Sequence, residues 1–143
     1  MSAQRRRPES VLVVVHTKAF EILLLERIQP SGFWQSITGT LEWGESAATA
    51  AKRELHEETG LPGTGLCDAK TTRRFPILPA WRSRYAADVT SNLEHVWYLQ
   101  LDNTVDIRLS ADEHSAYAWF SFEVALERVS SWTNRDAIKA LRA

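Results

Sequence analysis

Cysteine is nearly missing from this chain. Cys67 is the only one, so no disulfide forms within it, a usage that fits a reducing, cytoplasmic setting. Long apolar runs are missing too. The valine-rich run Val11–Val15 is far short of the roughly 20 residues that span a bilayer. Arginines precede it, but it reads as the start of a strand, and no small-residue cleavage site follows, so a signal peptide is not expected. Excess charge of one sign is also absent: 17 Lys and Arg against 18 Asp and Glu leave a net charge of -1. No global basic field draws the chain to nucleic acid or to anionic lipid. Internal repeats, low-complexity segments and an obvious nucleophilic Ser-His pair are lacking as well.

What is present suits one soluble domain over residues 1–143. The sequence is 44% hydrophobic and 24% charged, typical of a globular protein with a real core. Ser10–Thr17 reads as a buried strand and Glu21–Arg27 as its hairpin partner, joined by a turn at Lys18-Ala19-Phe20. A loop follows over Gln29–Gly32, then a short strand, Trp34–Thr38, ending at Gly39. Gly44–Glu58 is the clearest helix. It has Ser46 or Glu45 at its N-terminus, Ala47, Ala51 and Leu55 as a buried stripe, and Gly60 then Pro62 as its stop. Gly63–Gly65 is a loop, Thr71–Ile77 is extended, and Leu78–Asn92 is a long loop of the kind that often carries function. Glu94–Leu101 and Tyr117–Phe122 read as strands, Phe122–Val129 and Asn134–Leu141 as short amphipathic helices. Strands and helices interleave irregularly, which predicts an α/β (α+β) domain with a mixed sheet covered by helices. Arg5-Arg6-Arg7 is the one basic cluster, either a solvated tail or an arm folded over an anionic ligand.

The chemistry concentrates between Gly39 and Leu61. Glu54, Glu57 and Glu58 stand at i, i+3 and i+4, on one side of the helix. Like charges so spaced destabilise a bare helix by about 0.2–0.5 kcal/mol per pair, and negative charge near a helix C-terminus is unfavourable. A solvated acidic face is the plainer alternative. A bound divalent cation offsets both penalties, and an all-oxygen ligand set favours magnesium, manganese or calcium over zinc. Arg53 points elsewhere around the helix and reaches Glu45 or Glu57 with forked hydrogen bonds. Gly39 allows a positive φ or a close approach of backbone to an ion, and its carbonyl is a further candidate ligand.

Gly39, Glu45, Arg53-Glu54-Leu55, Glu57-Glu58 and Gly60-Leu61 resemble, position by position, a complete Nudix box. The resemblance implies a Nudix fold, an α/β/α sandwich around a mixed sheet with the box as loop–helix–loop. It implies hydrolysis of a diphosphate linkage with Mg2+, or Mn2+ in its place. Glu54, Glu57 and Glu58 become metal ligands, with Gly39. Glu45, Gly60 and, in part, Arg53 are structural, although Arg53 also belongs to the catalytic set by orienting the ligands. The general base is left open by the box. Glu113, in the polar loop Ser110–His114, is the candidate for that role and for an additional metal ligand. His114 is taken as structural or substrate-facing.

Further segments, Phe33–Gly39, Arg84-Tyr85-Ala86, Glu113-His114 and Ser131–Arg135, are similar to a bacterial class within that family, the dihydroneopterin triphosphate diphosphatases of folate biosynthesis. That likeness implies a small-molecule triphosphate substrate and no nucleic-acid or membrane partner. The oligomeric state is open, with a monomer preferred. A pterin is flat and hydrogen-bonding, so Phe75, Trp81 and Tyr85 are candidates for an aromatic wall, Arg6 and Arg27 for the triphosphate, and Thr38 and Ser131 for hydroxyl contacts. The competing readings are a nucleoside triphosphate pyrophosphatase, including one that cleanses oxidised nucleotides, and a non-catalytic ligand-binding module.

Overall fold

The computed structural model describes residues 5–143. Its centre is β1 (Glu9–Thr17), whose continuous valine run is buried on both faces, the pattern of a strand covered by helices above and below. β1 pairs in parallel with β6 (Ser91–Leu101) along its whole length and antiparallel with β4 (Ile37–Thr40). At its far end it also meets β2 (Ile22–Arg27). β2 in turn pairs with β3 (Trp34–Gln35) and β7 (His114–Phe120), and β6 pairs with β5 (Cys67–Pro76), giving one mixed seven-stranded sheet.

Each face buries its own core. Val11, Val13, Val15, Leu23 and Leu25 meet Ala50, Ala51 and Leu55 of α1 (Ala47–Thr59). Leu12, Val14, Ile22 and Leu24 meet Ala125 of α2 (Phe122–Arg128) and Ala137 and Ile138 of α3 (Trp132–Ala140). Fully burying each valine, leucine or isoleucine among them contributes about 1.5–3 kcal/mol. The α/β/α sandwich expected from the sequence is therefore present. None of these helices is long and apolar enough to cross a membrane.

Several boundaries differ from expectation. The short strand before α1 runs through Gly39 to Thr40 and is broken at Ser36 into β3 and β4, because β4 leaves β2 to pair with β1. α1 begins at Ala47, capped by the Ser46 hydroxyl on the Thr49 amide, and ends at Gly60 in the left-handed region at φ 77°. Its buried residues are Ala50, Ala51, Glu54, Leu55, Glu58 and Thr59. Ala47 is only half-buried, so the stripe turns acidic toward its C-terminal end. The long loop is shorter than expected: Pro79–Arg84 forms 3-10 turns and β6 begins at Ser91. β7 begins at His114, drawn into the sheet by pairing with Arg27 across a bulge. α3 starts at Trp132 under a Ser131 cap.

The basic arm is docked, not a free tail. Arg7 donates to the carbonyls of Glu42 and Glu45 at 2.9 and 2.8 Å and forms an ion pair with Glu9 at 2.9 Å. The Arg5 side chain donates to the Ser83 carbonyl and the Arg6 amide to the Arg84 carbonyl. The arm thus ties the loop before α1 to the 3-10 segment.

Candidate active site

The acidic end of α1 lies against β4. Gly39 pairs with Val11 and so faces α1. A Cβ on Gly39 would fall well inside contact with the Glu54 carboxyl group. The glycine is therefore required for close approach, here of a side chain, and not for a positive φ.

Arg53 fixes this arrangement. Its Nε and Nη2 donate to the two oxygens of Glu45, each at 2.8 Å. Nη1 donates to Glu54 Oε1 at 2.7 Å and lies 3.5 Å from Glu57 Oε2, and Nη2 reaches the Thr40 carbonyl. The expected contacts to Glu45 and Glu57 are present. The expectation that Arg53 points away from Glu54 is corrected, because the long side chain bends back to its sequence neighbour. Glu45 also accepts from the Glu42 amide at 2.9 Å, which closes the turn before the helix. Its hydrogen bonds with Arg53 hold the Glu45 carboxyl below the usual range.

The three helix glutamates differ in setting. The Glu57 side chain is 54% exposed. Burial pushes Glu54 up to about 7, against the pull of Arg53. Glu58 is 2% exposed, and burial pushes it up to about 10, with the Glu113 and Glu54 carboxyls adding to the rise. Oε2 of Glu58 has no hydrogen-bond partner among the described residues. Glu113, exposed in the turn before β7, joins Glu58 and His114 in a cluster whose ligand atoms lie within 4.8 Å of one another.

His114 is nearer the centre than its sequence position suggested. Its Nε2 lies 3.2 Å from Gln35 Nε2 and its Nδ1 lies 3.8 Å from Glu58 Oε1. In this orientation of the Gln35 amide, the ring accepts at Nε2 and carries its proton on Nδ1, toward Glu58. Burial holds the His114 pKa below its ordinary value, which favours the neutral ring. Gln35 was not singled out from the sequence, and nothing local in Trp34-Gln35-Ser36 marks it.

The other sequence candidates are dispersed around this centre. Arg27 pairs with His114 in the β2–β7 ladder, stacks over Phe33 and donates to the Gln29 carbonyl. Arg6 donates to the Thr40 hydroxyl at 2.9 Å, one residue beyond Gly39. Thr38 donates its hydroxyl to the Val11 carbonyl. Ser131 caps α3, and its hydroxyl lies 2.9 Å from that of Thr133. Trp81 is exposed beneath the Arg84 guanidinium, Tyr85 ends the 3-10 segment, and Phe75 lies opposite Asn92 on β5.

A buried carboxylate with an orphan oxygen, a second buried carboxylate and exposed acids beside them fit a hard divalent cation. A mixed sheet with such a helix on one face and two helices on the other thus carries an acidic cluster that could hold such a cation. The chain belongs to the NUDIX domain family, which it matches over residues 6–141. It is 38% identical over 139 residues to the dihydroneopterin triphosphate diphosphatase of Escherichia coli K12, covering 94% of this chain and 91% of that protein. The Haemophilus influenzae protein of the same name is 37% identical over 141 residues, covering 95% and 88%. The solved structure of the E. coli dihydroneopterin triphosphate pyrophosphohydrolase superposes with a TM-score of 0.86 over 95% of both chains.

Proposed function

We propose that this protein hydrolyses 7,8-dihydroneopterin 3'-triphosphate to dihydroneopterin monophosphate and diphosphate, with magnesium as the working ion. The likeness to the E. coli enzyme across nearly the whole chain carries the substrate. The acidic end of α1 beside Gly39 supports the chemistry.

Glu54, Glu57 and Glu58 would hold the metal, with Glu113 and the Gly39 carbonyl completing the oxygen set. When bound, the ion supplies charge neutralisation on the phosphates and a lowered pKa for a coordinated water. The remaining work falls to the protein. Arg53 keeps Glu54 in one rotamer and anchors it to Glu45, so the ligand geometry is set before substrate arrives. Gly39 leaves space for that carboxylate. His114, held by Gln35, turns its Nδ1 toward Glu58 at 3.8 Å without a hydrogen bond between them. Glu113 is exposed, so its carboxylate oxygen not given to the metal could take the proton of the attacking water. Water attacks a phosphorus flanking the α–β bridging oxygen, the bond from phosphorus to that oxygen breaks, and the monophosphate and diphosphate separate. Arg6, bonded to Thr40, and Arg27, paired with His114, suit the triphosphate as forked donors.

The test is a substrate panel scored by diphosphate release, with and without magnesium. Dihydroneopterin triphosphate should exceed common and oxidised nucleoside triphosphates in kcat/KM. A nucleotide ahead by about tenfold, roughly 1.4 kcal/mol in transition-state binding, overturns the substrate assignment while leaving the metal chemistry intact.

A further inference from the structure

On the sheet face away from α1, a buried carboxylate has no part in the chemistry above. Glu94 is 5% exposed, and its Oε1 has no hydrogen-bond partner among the described residues. Arg73 stands directly opposite on β5, and its buried Nε is also unpartnered among the described residues. No ion pair joins the two within 4.0 Å among the described residues. An acceptor and a donor, side by side and both unsatisfied, are the pattern of a site awaiting a polar ligand. Burial pushes Glu94 up to about 7, against the Thr133 hydroxyl and the Arg73 charge.

The sheet register ties this pair to the reacting end. Thr40, Ser10, Glu94 and Arg73 form one row across β4, β1, β6 and β5, and directly paired residues share a face. Thr40 follows Gly39 in the chain and receives the Arg6 hydrogen bond. Glu94 is thus two strand spacings, about 10 Å, from the strand that abuts the acidic cluster. The acidic cluster lies on the other face, and β4 pairs only with β1 among the described strands, so a ligand with its ring at Glu94 would pass the free edge of β4 to set its phosphates at the cluster. In the next row of the same face Phe75 opposes Asn92, placing a half-buried aromatic ring beside the pair. Thr133, 2% exposed, roofs it from α3.

We propose that Glu94 and Arg73 read the pyrimidine edge of the pterin, Glu94 accepting from N3–H and the 2-amino group and Arg73 donating to the 4-oxo oxygen. This rests on the pterin reading of the function. The 2-amino-4-oxo ring presents one acceptor and two donors along one edge, which is the complement of what the pair offers. Guanine shares that edge and adenine does not, so the pair discriminates by hydrogen-bond pattern and not by ring size alone.

The experiment measures kcat/KM for dihydroneopterin triphosphate and for dATP in the wild type, in Glu94→Gln and in Arg73→Met. The isosteric Gln turns an acceptor edge partly into a donor, and the ratio of the two kcat/KM values should fall at least about 30-fold. The loss should appear mainly in KM for the pterin substrate. A purely structural role lowers both substrates together, so a ratio that stays within about threefold overturns the proposal. Arg73→Met lies on a half-buried strand position and gives the same reading if Glu94→Gln folds poorly, with a fall in the ratio supporting the proposal and a constant ratio overturning it. A wild type that itself prefers dATP is a different result: it defeats the substrate assignment, and this inference falls with it.

Discussion

Glu54 occupies the space that a side chain on Gly39 would need. The strand and the helix are held so close that the carboxyl group is placed by exclusion as well as by its bond to Arg53. Gly39→Ala should therefore displace Glu54 and lower kcat by about 100-fold, the usual cost of misplacing a reacting group by about 1 Å. Diphosphate release measured beside circular dichroism checks this. Full activity in a folded Gly39→Ala protein contradicts the geometry.

Arg53 meets Glu45 with two parallel bonds and Glu54 with a third. Lysine keeps the charge but has no planar fork. Arg53→Lys should cost about 1–3 kcal/mol of stability through the half-buried Glu45 left short of donors. It should also lower kcat more than it raises KM. Urea unfolding and steady-state kinetics measure the two effects separately.

Glu58 is buried, and burial pushes its carboxyl up to about 10, which favours the protonated form without metal. Glu58→Gln replaces that neutral acid by a neutral isostere. In EDTA its melting temperature should match or exceed that of the wild type. In millimolar magnesium the wild type should gain stability and the variant much less, since a ligand stabilises only the state that binds it. Activity should fall by more than about 100-fold. Scanning calorimetry with and without magnesium separates these outcomes.

The raised carboxyl groups also set a pH dependence. Glu54 and Glu94, near 7, and Glu58, near 10, hold protons more tightly when folded than at their ordinary value of 4.5. The stability they contribute is complete below that value and is lost as pH rises through the folded values. His16 and His114, depressed by burial, act oppositely below about 6.5. The clean window is therefore pH 7 to 9. There the metal-free protein should lose up to about 1.4 kcal/mol per pH unit for each excess proton. Magnesium should flatten the slope by stabilising the ionised form. Chemical denaturation across that window, in EDTA and in magnesium, measures it.

Changing an exposed ligand makes a useful contrast. The Glu57 side chain is half in solvent, so Glu57→Gln should leave thermal stability in EDTA within about 0.5 kcal/mol of wild type. Magnesium-dependent turnover should nevertheless be crippled. Retained turnover removes Glu57 from the metal set.

The sequence by itself determined the acidic helix, its start at Ser46 or Glu45 and its Gly60 end, the reach of Arg53 to Glu45 or Glu57 and the alternation of strands and helices. These depend on spacing within one helix or on turn chemistry at its ends, and both are local. It did not reveal that β4 runs through Gly39 onto β1, that the arginine arm is docked, or that Gln35 braces His114. Nor did it mark Glu94 and Arg73 as neighbours. Those relations join residues from 21 apart, as for Glu94 and Arg73, to 79 apart, as for Gln35 and His114. Sheet register decides them, because a strand's partners are chosen by the packing of the whole core and leave no periodic trace in the strand itself.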